Sequence, residues 1–187
     1  MQVENLRIHP ETPFDHYQQL PGWSYSAIKQ YDKGEPFVTT SKMRLGTLVH
    51  QYLLEPSQYT HEHRRIVTRA ARVVKETVGD LLPMLQAEVS VTADFLHEGF
   101  IMGYRGRPDM LRAGRVVLDL KVSEVPLTRT IPFFGYDRAV SGYCLSTGSR
   151  LGIIIRVCPR TFKTETKLIN PSSEWWEKQV LRFGKPV

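Results

Sequence analysis

A change of hydrophobic period divides this chain. Before Glu88, apolar residues recur at helical spacing. After it they alternate, with Val89, Val91 and Ala93 set against Ser90 and Thr92, as in a half-buried strand. A chain that opens with helices, continues through short strands and closes on helix and strand suits an α/β layer with a central mixed sheet flanked by helices. At 187 residues there is room for one such domain. The spacing predicts a helix over 41–54, on Leu45, Leu48, Val49, Tyr52 and Leu53, ended by Pro56. Ser24 or Ser26 N-caps a shorter helix through about Asp32, before a break at Gly34-Glu35-Pro36. A second amphipathic stretch over 61–86 has Ile66, Ala70, Val73, Val74, Leu81, Leu82 and Leu85 on one face, and Gly79 and Pro83 split it. Strands follow from 89 and over 100–105, 107–111 and 115–122, with turns at His97-Glu98-Gly99 and Ala113-Gly114. A helix over 131–147, strands over 151–158 and 161–168, and a last helix capped by Ser172 or Ser173 complete the chain.

Composition narrows the class. Hydrophobic residues at 41% and charged residues at 24% describe a globular protein, and 25 Lys+Arg against 19 Asp+Glu permit a polyanionic partner without demanding one. Cys144 and Cys158 are too few for a disulfide scaffold, a multi-thiolate zinc site or a four-cysteine iron–sulfur cluster. No apolar run approaches the roughly 20 residues that span a bilayer, and the first ten residues lack the apolar core of a signal peptide. The expectation is a water-soluble, cytoplasmic chain with no membrane partner.

The chemistry concentrates in 105–121, RGRPDMLRAGRVVLDLK. Residues two apart on a strand share a face, so Asp119 and Lys121 project together while Leu118 and Leu120 point into apolar packing. A turn at Ala113-Gly114 lets Asp109 lie alongside Asp119. Two carboxylates so close repel unless a cation sits between them, and hard divalent ions take such oxygens. A lysine beside the ion can orient or deprotonate a water and offset charge on a phosphate, which makes Asp, Asp and Lys the parts of metal-assisted phosphodiester hydrolysis. A surface ion pair between Asp119 and Lys121 is the plainer alternative. The chain supplies a control: Glu165-Thr166-Lys167 repeats the acid–x–lysine form on an alternating segment without a second carboxylate at hairpin distance, and reads as the outward face of an edge strand.

In chain order, several segments resemble one family. Gly22-Trp23-Ser24-Tyr25-Ser26 resembles its S-x-S helix start, and Gly46-Thr47-Leu48-Val49-His50 with Leu53-Leu54-Glu55-Pro56 its G-x-x-x-H…LLEP segment. Ala87-Glu88-Val89-Ser90 resembles its A-E-x-S strand, Gly106-Arg107-Pro108-Asp109 its R-P-D, Leu118-Asp119-Leu120-Lys121 its D-x-K, and 136–143 its Y-D-x-Q-x-x-x-Y helix. The set, over roughly 20–160, is similar to the RecE-type (exodeoxyribonuclease VIII-like) nucleases of the PD-(D/E)xK superfamily, which also holds the RecB nuclease domain and phage lambda exonuclease. The resemblance implies a restriction-endonuclease-like α/β core in a single nuclease domain, 1–187. Its parts are an N-terminal arm or loop (1–22), a helical part (23–86), a sheet core with the active site (87–170) and a C-terminal helix (171–187).

By that resemblance His50, Asp109, Asp119 and the Leu120 carbonyl bind Mg²⁺ or Mn²⁺. Glu88 holds a metal-bound water or serves as an outer ligand, and Lys121 is the catalytic lysine. Gly46, one turn before His50, lets another element pass close. The activity implied is a metal-dependent 5′→3′ exonuclease on double-stranded DNA ends, in phage or prophage recombination beside a single-strand annealing recombinase. Alternatives are an endonuclease or single-strand-specific nuclease of the same fold, or an inactive DNA-binding protein that retains it. Arg105 and Arg107 are placed to meet phosphates, and Tyr136 to stack on a base or to pack in the core. The family's helix glutamine falls at Ala139, which bears on rate or strand preference. The stretch between Pro56 and Glu88 is short for the type, so a homo-oligomer is admitted but a DNA-threading ring does not follow.

Overall fold

A computed structural model describes residues 1–10, 12–34 and 40–187. The elements run β1 (Gln2–His9), α1 (Phe14–Gln19), α2 (Tyr25–Lys33), α3 (Ser41–Leu54), α4 (Arg64–Val78), β2 (Gln86–Ala87), β3 (Ser90–His97), β4 (Phe100–Gly106), β5 (Met110–Arg112) and β6 (Val116–Val122). Then come α5 (Leu127–Phe134), α6 (Tyr136–Thr147), β7 (Leu151–Val157), β8 (Thr164–Ile169), α7 (Glu174–Phe183) and β9 (Lys185–Pro186). The central sheet is mixed, in the order β2-β5-β6-β7-β8, with β6 and β7 parallel and the other pairs antiparallel. A second, antiparallel sheet has the order β1-β3-β4-β9.

Helices cover both faces of the central sheet, and the strands sort their residues accordingly. Leu118, Leu120, Ile153, Ile155 and Val157 join Leu48, Val49, Val67 and Val74 of α3 and α4 in one core. Val117 and Ile154 face the other way, toward Val140 and Cys144 of α6, in a second core shared with Val91, Phe95 and Trp176. Asp119 and Lys121 alternate with the leucines and so lie on the α6 side. Burying a leucine stabilises by about 1.5–3 kcal/mol. A one-residue slip of β6 would turn Leu118 and Leu120 away from the core of α3 and α4 and drive Asp119 and Lys121 into it, so burial locks the register that forms the site.

Several sequence expectations meet the structure closely. Ser24 N-caps α2 by accepting from the Ala27 N–H at 3.1 Å, and Gly34 ends the helix in the left-handed region. Thr40 caps α3 in the same way. The rest of the anticipated break, at Glu35-Pro36, lies outside the described residues. Trp176 is fully buried, its indole N–H donating to the Arg138 carbonyl, while Trp175 is only half-buried.

Others need correction. Residues 1–22 are not an arm or loop, since they hold β1 and α1, and β1 is an edge strand paired with β3. The register shift between Glu4 and Arg7, with Asn5 at φ 51°, breaks the alternation that would reveal it. The buried face of α4 is Val67, Ala70, Ala71, Val74 and Val78, while Ile66 faces solvent. The strand expected over 107–111 is confined to Met110–Arg112, because 107–109 carry the chain between sheets. The helix expected over 131–147 is two helices, α5 and α6, divided at Gly135, whose φ of 67° ends the first. Gly46 permits no close approach: a Cβ there would meet only the Val122 Cβ, at 3.9 Å, an ordinary contact.

Candidate active site

Three separate stretches of chain converge at the Val122 end of β6. The α3 helix carries His50 on its last turn but one. The corner between β2 and β3 carries Glu88, in the left-handed region at φ 49° with its N–H on the Asp109 carbonyl at 2.9 Å. A residue with a Cβ rarely adopts this conformation, and here it turns the chain from one sheet into the other. Asp109 stands just before β5, one step beyond the Met110↔Leu118 pair, which sets it against Asp119.

Ligand atoms of His50, Glu88 and Asp109 all lie within 4.8 Å of one another. His50 Nδ1 is 3.2 Å from Asp109 Oδ1 and 4.0 Å from Glu88 Oε1. Its other nitrogen, Nε2, donates to the Leu120 carbonyl at 3.0 Å. That bond fixes the ring and aims Nδ1 at the two acids, the outer support that metal-binding histidines require. The second oxygen of Asp109 accepts the Leu120 N–H at 2.5 Å. The three side chains are 13–21% exposed, so an ion could enter from solvent and still be mostly desolvated. One imidazole nitrogen and two hard carboxylates fit a divalent cation such as Mg²⁺ or Mn²⁺.

Asp119 and Lys121 flank this triplet. They form an ion pair at 2.6 Å, but it is not the surface pair that the plainer reading would have, because Asp119 is buried. The Lys121 ammonium also lies 5.0 Å from the centre of the Tyr136 ring, and that ring stacks on Phe134.

The charges explain one another. Burial pushes the Glu88 carboxyl up to about 7, helped by the charge of Asp109 and opposed by His50 and Arg107. Burial also raises Asp119, with Lys121 pulling against it. Burial would raise Asp109 too, but His50, Lys121 and the Leu120 N–H outweigh it and hold the group below its usual range. In His50 and Lys121 burial works against charge, and the carboxylates overcome it, so both sit above their ordinary values. The site is a knot of acids whose repulsion is answered by cations, as expected where a bound ion does that work.

Two expected phosphate contacts are otherwise engaged. Arg105 donates to the Gln18 and Leu20 carbonyls at 2.5 and 2.6 Å, tying down the end of α1. Arg107 is buried, its Nε on Glu88 Oε2 at 2.8 Å and Nη2 on Glu55 Oε1 at 3.1 Å. It braces Glu88. Glu55, the acid of the LLEP segment, thereby has a role that its motif alone does not reveal. The arginines of α4 lie elsewhere: Arg69 stacks on Phe162 and Arg72 pairs with Glu76.

No family model and no curated protein matches the sequence. Among solved structures, an alkaline exonuclease (LHK-Exo) from Laribacter hongkongensis is similar at 17% identity, over 84% of this chain and 73% of that one, with a TM-score of 0.47. The crystal structure of SSO0001 is similar at 16% identity, over 83% and 80%, with a TM-score of 0.43. Identities this low leave the chemistry to be argued from the residues themselves.

Proposed function

We propose that this chain is a divalent-metal-dependent deoxyribonuclease of the PD-(D/E)xK type, an exonuclease that hydrolyses phosphodiester bonds 5′→3′ from the ends of duplex DNA. The observation that carries the reading is the convergence of His50, Glu88 and Asp109 beside the buried Asp119–Lys121 pair. His50, Glu88 and Asp109 would hold Mg²⁺ or Mn²⁺, with Asp119 and the Leu120 carbonyl beside them. A cation held there would supply Lewis-acid stabilisation of phosphate charge and a more acidic water.

The chain's own residues do the rest. Lys121, kept as an ammonium by Asp119, donates toward the scissile phosphate, and its charge offsets the negative charge that grows during cleavage. His50 is held by the Leu120 carbonyl, and Glu88 by Arg107, so the acids keep their positions while substrate comes and goes. The direction of cleavage, the preference for duplex ends and a place in phage-type recombination beside an annealing protein are supported by the ordered motif resemblance.

The test is end-labelled linear duplex and closed-circular duplex, each incubated with Mg²⁺ or Mn²⁺, wild type beside Asp119→Ala. Stepwise loss of nucleotides from the linear duplex only, abolished by EDTA and by the substitution, is expected. Nicking of the circle would replace the exonuclease reading with an endonuclease one. Two intact substrates at every metal concentration would end the nuclease reading.

A further inference from the structure

The corner between α5 and α6 presents aromatic surface to water. Phe133 is 77% exposed and Phe134 40%, and their rings meet edge-on at 4.8 Å. The corner is also firmly held. The Phe134 carbonyl accepts from both the Tyr25 hydroxyl at 2.7 Å and the Lys29 ammonium at 3.0 Å. Gly135 takes the left-handed turn directly against the Tyr25 hydroxyl, where a Cβ would have no room. Phe134 stacks on Tyr136 at 5.4 Å with the planes 17° apart, and Tyr136 in turn faces Lys121. A continuous aromatic file therefore leads from solvent, through Phe133, Phe134 and Tyr136, to the lysine of the candidate active site.

Several cations border the corner, alongside one acid, Asp137, in the first turn of α6. Lys29 lies over the Phe134 ring at 5.2 Å, and its ammonium feels the charges of Lys33 and Arg138. Arg129 is one helical turn before Phe133 on α5 and is exposed. Flat apolar rings bordered by lysine and arginine match a chain that carries flat bases on a phosphate backbone.

We propose that Phe133 and Phe134 form a stacking platform for the unpaired bases of a single DNA strand, with Lys29, Lys33, Arg129 and Arg138 on its phosphates. The proposal rests on the nuclease reading and extends it: the strand is guided to Lys121 by its bases, without regard to their identity. It also moves base stacking outward from Tyr136, which Lys121 and Phe134 already engage.

The experiment uses the full chain in EDTA, so that binding is read without cleavage, and a short single-stranded oligonucleotide with 2-aminopurine at successive positions. Wild type is expected to quench 2-aminopurine at one or two adjacent positions. Phe133→Ala/Phe134→Ala is expected to lose that quenching and to bind on the order of tenfold more weakly, the size of one lost base stack. Phe133→Trp, which keeps a ring at each position, is expected to retain both, and thermal melts check that each variant is folded. Unchanged affinity and quenching in the double variant, with metal-dependent cleavage retained, would overturn the platform and leave the nuclease reading intact. A dimer in wild type that the double variant dissociates would assign the patch to a second copy instead. No binding by wild type, together with uncut labelled DNA, would remove both readings.

Discussion

Two strands of one sheet carry the same three-residue pattern and do different work. On β6, Asp119-Leu120-Lys121 places a buried carboxylate on a lysine, next to a second acid and a histidine. On β8, Glu165-Thr166-Lys167 lies at the sheet's edge. There Glu165 Oε1 pairs with the buried Arg156 at 2.8 Å, and Oε2 accepts the Leu127 N–H at the start of α5. Lys167 is exposed. The acid of β8 serves the fold through Arg156 and the Leu127 N–H, whereas the acid of β6 sits where like charges are forced together. An acid–x–lysine triplet therefore gains chemistry only from what the topology brings opposite it.

The comparison breaks most visibly in cleavage. Lys121→Ala is expected to lower the rate on linear duplex by about 10²–10³-fold, the usual cost of removing one donor aimed at developing charge. Lys167→Ala should leave it unchanged, as gel assays of labelled DNA would show. Equal losses in the two variants would mean that the pattern matters more than its surroundings.

The next effect is on stability. Arg107→Ala strips the shared partner from Glu88 and Glu55 and is expected to cost about 3 kcal/mol in denaturant unfolding, because it leaves a buried acid uncompensated. Glu165→Gln should cost less, about 1–2 kcal/mol, since Arg156 keeps the Ser123 and Glu124 carbonyls. Cleavage at a temperature where that variant is folded should be normal.

The smallest effect is on how stability depends on pH. Glu88 is held at about 7 when folded, above its ordinary value, so the folded state binds its proton more tightly than the unfolded chain does. That contribution is fully present below the unfolded value and is lost as pH rises through about 7; the raised His50 acts in the same sense. In EDTA, Tm is expected to fall by a few degrees between pH 5 and 8, and Mn²⁺ to reverse the fall as it replaces the protons. Glu88→Gln should flatten the profile.

Much of this difference could be read before the fold was seen. The helical spacing around His50, the alternation of Leu118 and Leu120 with Asp119 and Lys121, and the turn at Ala113-Gly114 are local; burial enforces the first two, and the exposed turn rests on Gly114, at φ 70°. The edge position of Glu165 was equally legible. What escaped was long-range or irregular. The β1 strand is masked by its bulge and by thin apolar content. Glu88 depends on a left-handed corner that its residue type disfavours. The arginines show why composition misleads: Arg105 and Arg107 are basic residues beside acids in the sequence, and only the packing reveals that carbonyls and carboxylates already claim them.

The central claim is that one divalent cation sits among His50, Glu88 and Asp109. Anomalous scattering from a crystal soaked in Mn²⁺ tests it most directly. The account predicts a single strong peak about 2.0–2.3 Å from His50 Nδ1 and from the carboxylates of Glu88 and Asp109. Manganese found only on exposed acids such as Glu98, with His50 still on Asp109 Oδ1, would contradict it.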